Sequence, residues 1–283
     1  MLESANQASE RWPGNGPNCA AAHSPRAPFG RADTVDGVFE PRATIDLHCH
    51  ILPGLDDGAR DLSDAVAMAR QAQADGIEAV CATPHIRHDH VVSIADLPER
   101  LAELRAAVVA VGIATRILAG GEVATTALKA LNLAELAAVT LGRAGRWVLL
   151  EPAPGPLDDK LDDAVVWLSA RGRRALIAHP ERHLSADMIE RLRRLTAAGA
   201  LIQATAAALT DESTRAGMLN LARAGVLHVL GSDAHSAGTG RPVNLTPGLA
   251  VLGSVSPPAE HLDWVARFAP RGIVSGQELT APF

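Results

Sequence analysis

From residue 43 onward, short apolar segments alternate about seven times with longer amphipathic segments. The predicted strands are Thr44–His48, Ile77–Thr83, Arg116–Ala119, Trp147–Glu151, Ala175–His179, Ala200–Thr205 and Val226–Ser232. The predicted helices, which repeat their apolar residues every three or four positions, are Ser63–Ala74, Leu97–Val109, Asp158–Ala170, Ala186–Ala198 and Thr210–Arg223. Such alternation is typical of parallel βα units. The pattern therefore predicts an α/β fold, either a closed barrel or an open doubly wound sheet.

Two other parts of the chain depart from this pattern. Residues 1–42 are rich in Pro, Gly, Asn and Ala and show no periodicity. We predict that they form a disordered extension, because they cannot bury enough apolar surface to offset the entropy of ordering. The folded domain is then residues 43–283. Arg241–Ser256 is rich in Pro and Gly and is predicted to cross the surface before a last helix near Glu260–Phe268.

The composition excludes several classes of protein. A net charge of −6 argues against a nucleic-acid-binding surface. The chain has no apolar run of the roughly 18 residues needed to cross a membrane, and its amino terminus does not follow the pattern of a signal peptide. The three cysteines are scattered and predict no disulfide framework, which fits a cytoplasmic location.

Histidines and carboxylates stand where the predicted strands end, or just beyond. These candidate ligands are His48, His50, His85, Glu122, Glu151, His179, Asp233 and His235. Because the carboxyl ends of parallel strands lie on one face of the fold, we expect these side chains to meet at one mouth. Asp56 and Asp57, in the loop after the first strand, can reach the same place. Mixed imidazole and carboxylate ligands without thiolate suit Mn, Fe or Zn, and their number exceeds the needs of one ion.

Two arginines next to these candidate ligands indicate a phosphate-binding site. Arg182 follows His179 by three residues, and Arg241 follows His235 by six. A planar guanidinium can hold a phosphate by two parallel hydrogen bonds. Clustered divalent ions activate water and neutralise phosphoryl oxygens. Together these features predict a metal-dependent phosphohydrolase.

Seven short motifs then occur in a characteristic order: Asp46–His50, Asp56–Gly58, Thr83–His85, Gly121–Glu122, Leu150–Glu151, Ile177–Arg182 and Gly231–His235. They resemble the motifs of the polymerase-and-histidinol-phosphatase (PHP) superfamily. Within it, the set is similar to the bacterial manganese-dependent protein-tyrosine phosphatases of capsule and exopolysaccharide operons. The resemblance spans roughly residues 43 to 242. It implies a distorted (β/α)7 barrel with the metal site at the carboxyl ends of the strands.

The resemblance also implies roles for single residues. One ion would be bound by His48, His50, Glu122 and Asp233, a second by Glu122, Glu151 and His179, and a third by Asp57, His85 and His235. Asp57 is favoured over Asp56 because the family's ligand directly precedes the glycine of this motif. Arg182 and Arg241 match the family's phosphate-binding arginines. The ions would be two or three, Mn with Fe or Zn as alternatives, and the substrate a phosphotyrosine protein such as a tyrosine kinase that controls polysaccharide export.

Two other functions are carried as alternatives: a small-molecule PHP phosphatase, for example one acting on histidinol phosphate, and a non-catalytic regulatory module. A thiol mechanism is also considered, because Cys81 to Arg87 fits the C-x5-R pattern of cysteine phosphatases. That loop has no glycine, Pro84 removes one N–H donor, and Cys81 lies in an apolar strand, so we predict a buried core thiol. His88 and His90 are predicted to be solvated.

Overall fold

The computed structural model describes residues 44–90, 92–183, 185–255 and 259–282. The expected disorder of residues 1–42 falls outside these ranges and stays a prediction. The strands within them are β1 (Thr44–Cys49), β2 (Ile77–Ala82), β3 (His85–Ile86), β4 (Arg116–Ala119), β5 (Glu122–Ala124), β6 (Trp147–Glu151), β7 (Arg174–Ile177), β8 (Leu201–Thr205) and β9 (Val229–Gly231).

The strands form a curled parallel sheet in two parts. One part has the order β1-β2-β4, and the other has the order β3-β5-β6-β7-β8-β9. Two residues separate β2 from β3 and β4 from β5, so each pair continues one path of the chain. Cys49 pairs with Ala234 just after β9, and the His50 N–H donates to the Ala234 carbonyl at 2.9 Å. The sheet therefore curls until its first strand lies beside its last.

The seven predicted strands are all present, and their ends differ by up to three residues. The short strands β3 and β5 were not predicted. Pro84 interrupts the chain before β3, and Gly120 with Gly121 interrupts it before β5. Strands of two and three residues are too short to show a period in the sequence, so only their pairing defines them.

The helices cover the sheet. They are α1 (Leu62–Ala74), α2 (Leu97–Ala110), α3 (Leu133–Ala138), α4 (Asp159–Ser169), α5 (Met188–Ala197), α6 (Glu212–Arg223), α7 (Thr246–Ser254), α8 (Ala259–Asp263) and α9 (Ala269–Val274). The five predicted helices are confirmed, with ends shifted by at most two residues. The Asp61 side chain caps α1 by accepting a hydrogen bond from the Asp64 N–H at 2.9 Å.

The segment Arg241–Ser256, predicted to cross the surface before a last helix, itself contains the helix α7. Pro247 stands in the first turn of this helix, where a missing N–H costs nothing. A Cβ at Gly248 would lie 2.8 Å from the Ala206 carbonyl oxygen, so the glycine allows α7 to pack closely there. The last predicted helix is also interrupted, because a π-helical turn, Trp264–Phe268, joins α8 to α9.

The core is mainly aliphatic, because only 3% of the residues are aromatic. Leu, Ile, Val and Ala side chains from the strands and the inner faces of the helices form one buried cluster. Trp147 is fully buried in it, and its indole Nε1–H donates to the Gln277 carbonyl at 2.9 Å. In the part of the chain that the structure describes, no helix is long and apolar enough to span a membrane.

Candidate metal centre

The side chains predicted as metal ligands meet at the carboxyl ends of the strands. Seven of the nine are buried, with relative exposures of 8% or less: His48, His50, His85, Glu122, Glu151, His179 and Asp233. The other two, Asp57 and His235, have side chains that are 59% and 22% exposed. The parallel sheet brings the residues together because most lie at or just beyond the carboxyl end of a strand, and His85 and Glu122 begin the short strands β3 and β5 that continue β2 and β4.

Glu122 occupies the middle of the cluster. Its Oε1 lies 2.9 Å from His179 Nε2. Its Oε2 lies 3.0 Å from His85 Nδ1 and 3.3 Å from Nε2 of both His48 and His50. A single fully buried carboxylate thus faces four imidazoles, which suits an acid that bridges ions.

Asp233 connects this cluster to the two arginines. Its Oδ1 lies 3.4 Å from His48 Nε2 and 3.6 Å from His50 Nε2. Its Oδ2 accepts a hydrogen bond from the Arg182 guanidinium at 2.5 Å and forms an ion pair with Arg241 at 2.9 Å. One carboxylate therefore has one oxygen towards the imidazoles and the other towards both predicted phosphate-binding groups.

Asp56 and Asp57 have different surroundings although they are adjacent. The Asp56 carboxylate accepts hydrogen bonds from His50 Nδ1 and the His85 N–H, both at 2.8 Å, and from the Gly58 N–H at 2.9 Å. The Asp57 Oδ1 lies 3.5 Å from Nε2 of both His85 and His235. The position of Asp57 suits a ligand, whereas that of Asp56 suits a group that orients His50.

The donor set fits divalent cations. Among the described residues, four groups place their ligand atoms within 4.8 Å of one another: His50 with Asp57, His85 and His235; His48 with His50 and Asp233; His48 with Glu122 and His179; and His85 with Glu122 and Glu151. Glu122 Oε2 and Asp233 Oδ1 are buried without a well-directed hydrogen bond. A buried anionic oxygen is costly in that state, and a cation would satisfy both atoms.

The four groups do not coincide with the ligand sets that the resemblance implies, and the clearest difference concerns Glu151 and His179. Glu151 lies with Glu122 and His85 in the structure, whereas His179 lies with Glu122 and His48. The resemblance instead combines Glu122, Glu151 and His179. That combination remains a prediction.

The charges of the centre are strongly coupled. Burial alone would lower the pKa of His50, but its hydrogen bond with Asp56 and the nearby Glu122 carboxylate outweigh burial and raise this pKa to about 10. Burial and the nearby Glu122 charge raise the pKa of Glu151. Burial favours neutral Asp233, yet His48 and Arg241 hold the pKa of that carboxyl below its usual range. Protons and cations therefore compete for the same atoms, and metal binding is expected to release protons.

Two of the candidate ligands have unusual backbone conformations. His179 has a φ of 35° and Asp233 has a φ of 50°, in the left-handed region that residues other than glycine rarely adopt. Such conformations persist where the surrounding structure imposes them, and they are concentrated at functional sites. Each lies two residues beyond the end of a strand, His179 after β7 and Asp233 after β9.

The comparison with known families agrees with this geometry. Residues 44–252 match the family described as capsular polysaccharide synthesis, CpsB/CapC. The chain belongs to the CpsB/CapC family.

Two individual proteins resemble this CpsB/CapC chain over most of their length. The tyrosine-protein phosphatase YwqE of Bacillus subtilis is 30% identical over 202 residues, which cover 69% of this chain and 78% of YwqE. The protein CapC of Staphylococcus aureus is 27% identical over 208 residues, which cover 71% and 80%.

A solved structure is also similar, with a TM-score of 0.71 and 27% identity over 82% of this chain and 95% of the other. It comes from work on YwqE and on CpsB of Streptococcus pneumoniae, which are called metal-dependent tyrosine phosphatases there. The phosphotriesterase homology protein of Escherichia coli, at 12% identity and a TM-score of 0.54 over 83% of this chain and all of the other, shares the fold alone.

Gln203 is a site residue of this CpsB/CapC chain that sequence reasoning missed. Its Oε1 lies 2.9 Å from His48 Nδ1, so the His48 ring donates from Nδ1 and leaves Nε2 free to face Glu122 and Asp233. A Cβ at Gly231 would lie 2.8 Å from the His48 Cβ and 2.9 Å from Gln203 Nε2, so glycine is needed there. No local pattern marks Gln203, because its partner is 155 residues away.

The remaining polar candidates have mixed outcomes. Cys81 is fully buried in β2, and burial raises the pKa of its thiol, which excludes the thiol mechanism and confirms a core cysteine. His88 is exposed, as predicted. His90 is half-buried, and its ring stacks on that of His85 with the ring centroids 5.1 Å apart. His183 is buried, and its ring stacks on that of His179.

Proposed function

We propose that this chain is a metal-dependent protein-tyrosine phosphatase that hydrolyses phosphotyrosine in a protein substrate. Membership of the CpsB/CapC family and the names of the relatives support the proposal. The observation that carries it is the double role of Asp233, whose two oxygens face the imidazoles of the metal centre and the guanidinium groups of Arg182 and Arg241. Asp233 thus contacts both the proposed cation ligands and the proposed phosphate-binding groups.

We infer that the centre holds two or three divalent ions, with Mn as the first candidate and Fe or Zn as alternatives. The proposed ligands are His48, His50, Asp57, His85, Glu122, Glu151, His179, Asp233 and His235. When bound, the ions would supply the Lewis acidity that activates water and offsets phosphoryl charge. Asp56 and Gln203 would hold the imidazoles of His50 and His48, respectively, in the tautomer that presents Nε2 to an ion.

Arg182 and Arg241 are the proposed catalytic residues. Their guanidinium groups lie at the open side of Asp233, where they would bind phosphoryl oxygens and stabilise the charge that develops on them. The phenolate that leaves has a pKa of about 10 in its free form, so it needs less help from a proton donor than an alkoxide does. Direct attack by water, without a covalent enzyme intermediate, fits the absence of an accessible thiol at Cys81.

The open mouth favours a protein substrate over a small amino alcohol phosphate. The side chains of Arg182 and Arg241 are 42% and 36% exposed. Histidinol phosphate would need an acid for its amino group, but Asp56 is occupied by three hydrogen bonds and Glu181 accepts one from the Thr205 N–H. A groove of about 170 Å³ beside Glu151 leaves room for more of a peptide.

The partner and the architecture follow from the same proposal. A tyrosine kinase that controls polysaccharide export is the proposed substrate, and the free thiols of Cys49 and Cys81 fit action in the cytoplasm. We further infer a distorted (β/α)7 barrel in residues 43–283, in which β2 with β3 and β4 with β5 each count as one broken strand.

A competition between two substrates tests the function. Purified Mn-loaded protein should hydrolyse a phosphotyrosine peptide with a kcat/KM at least about tenfold above that for histidinol phosphate, equivalent to roughly 1.4 kcal/mol of transition-state binding. Arg182→Ala should lower the peptide kcat/KM on the order of 100-fold. A preference for histidinol phosphate would contradict the tyrosine-phosphatase proposal and leave the metal centre intact.

A further inference from the structure

The chain between His235 and α7 carries Arg241, and polar side chains of α1 hold it in place. Asp64 Oδ1 accepts hydrogen bonds from the Ala237 N–H at 2.9 Å and from the Ser236 hydroxyl at 3.3 Å. At the far end of the helix, Asp75 Oδ2 accepts from the N–H groups of Leu245 and Thr246, at 2.7 and 3.1 Å. The loop is therefore attached to α1 at its beginning and at its end.

Gln71 binds the loop on both sides of Arg241. Its Nε2 donates to the Ala237 carbonyl at 2.8 Å, four residues before the arginine. Its Oε1 accepts from the Val243 N–H at 3.2 Å, two residues after it. A single carboxamide thus connects the part of the loop before Arg241 to the part after it and fixes the distance between Ala237 and Val243.

Arg241 itself is held mainly by backbone and carboxylate contacts at the centre. Its Nε donates to the Asp233 carbonyl at 2.8 Å, and one terminal nitrogen lies 2.9 Å from Asp233 Oδ2. Its side chain is 36% exposed, so packing does little to set its direction. Both contacts with Asp233 require the loop to hold the Arg241 backbone within reach of that residue, so the position of the guanidinium also depends on the loop.

We propose that Gln71, with Asp64, is a positioning residue that sets Arg241 for phosphate binding. The inference rests on the proposed function, because it takes Arg241 as a phosphate-binding group. Neither α1 residue touches the substrate. A shift of the loop by a fraction of an ångström would move the guanidinium away from the phosphoryl oxygens, and catalysis is sensitive to such misplacement.

The chain offers a matched control in the same helix. Gln73 Oε1 accepts a hydrogen bond from the Ala114 N–H at 2.6 Å, on a different loop that carries none of the candidate ligands. Gln71→Met and Gln73→Met remove the same functional group from the same helix and keep similar side-chain volume. Loss of helix stability alone would affect both variants in the same way.

The experiment measures inhibition of the full-length Mn-loaded protein by inorganic phosphate, together with kcat/KM for an aryl phosphate. Gln71→Met should weaken phosphate binding and lower kcat/KM by about tenfold, whereas Gln73→Met should change each by less than about twofold. In an Arg241→Ala background, Gln71→Met should have almost no further effect, because the residue acts through the arginine. Amide hydrogen exchange at Val243 should speed up in Gln71→Met with no change in manganese content.

Equal losses in Gln71→Met and Gln73→Met, or a loss in Gln71→Met that persists undiminished without Arg241, would overturn the inference. Phosphate inhibition keeps this test separate from the test of function. If the wild-type protein failed to hydrolyse phosphotyrosine but bound phosphate, the proposed function would fail. The effect of Gln71→Met on phosphate binding would still decide the role of the loop.

Discussion

Asp56 and Asp57 provide a sharp test of the centre, because the same substitution should lower stability at one position and metal content at the other. The Asp56 carboxylate accepts three hydrogen bonds, from His50 Nδ1, the His85 N–H and the Gly58 N–H. An asparagine has one acceptor oxygen and one donor nitrogen at this place. If its oxygen keeps the contacts with His50 and His85, its amide nitrogen meets the Gly58 N–H, which is then left unpaired.

The magnitude follows from these three contacts. An unpaired donor costs about 1–3 kcal/mol, and loss of charge assistance weakens the two remaining bonds, so Asp56→Asn should cost about 3 kcal/mol. For a domain of this size, such a loss lowers the melting temperature by roughly 6–12 °C. The Asp57 side chain is 59% exposed, so Asp57→Asn should change the free energy of unfolding by less than about 0.5 kcal/mol.

Thermal unfolding in the presence of a chelator measures stability without any contribution from bound metal. Elemental analysis after Mn loading then measures occupancy. Asp56→Asn should melt early in the metal-free protein. Asp57→Asn should melt like the wild type and retain less manganese, because an amide is a poor substitute for a carboxylate ligand. The reverse pattern, with full manganese content in Asp57→Asn and with unchanged melting but less manganese in Asp56→Asn, would show that Asp56 is the ligand and refute the reasoning.

Three further predictions concern the metal, its bridging acid and the core. A chelator should abolish aryl phosphatase activity and Mn²⁺ should restore it, while Cys81→Ser stays active; an inactive Cys81→Ser with no effect of chelation would contradict the metal mechanism. Glu122→Gln should lower manganese content as well as rate, because a neutral amide cannot bridge two ions, and full occupancy by elemental analysis would remove Glu122 from the ligands. Burial lowers the pKa of His228 to about 4, so its contribution to stability is full above about pH 6.5 and is lost as the pH falls towards 4. Urea unfolding in the presence of a chelator at pH 7.5 and 5.5 measures this effect. Between these pH values the free energy of unfolding should fall by about 1.4 kcal/mol less in His228→Gln than in the wild type. Equal decreases in the two proteins would contradict the lowered pKa of His228.

The sequence alone was enough to predict the α/β fold, the direction of the sheet and the set of residues that meet at the centre. Its signals were local: apolar segments of strand and helix length, and polar residues placed where each strand ends. Because the carboxyl ends of parallel strands lie on one face of the sheet, His48, Glu122 and Asp233 could be expected together although they are far apart in sequence.

Tertiary structure alone decided that Asp56 orients His50, how β2 and β4 are each continued by a short strand, and which neutral side chains support the centre. Gln203 contacts His48 across 155 residues, and Gln71 contacts Val243 across 172. Such contacts depend on the direction of single side chains after the sheet has curled and the loops have packed. A glutamine in a strand or helix has no period or spacing that distinguishes a partner of the active centre from a residue that only packs.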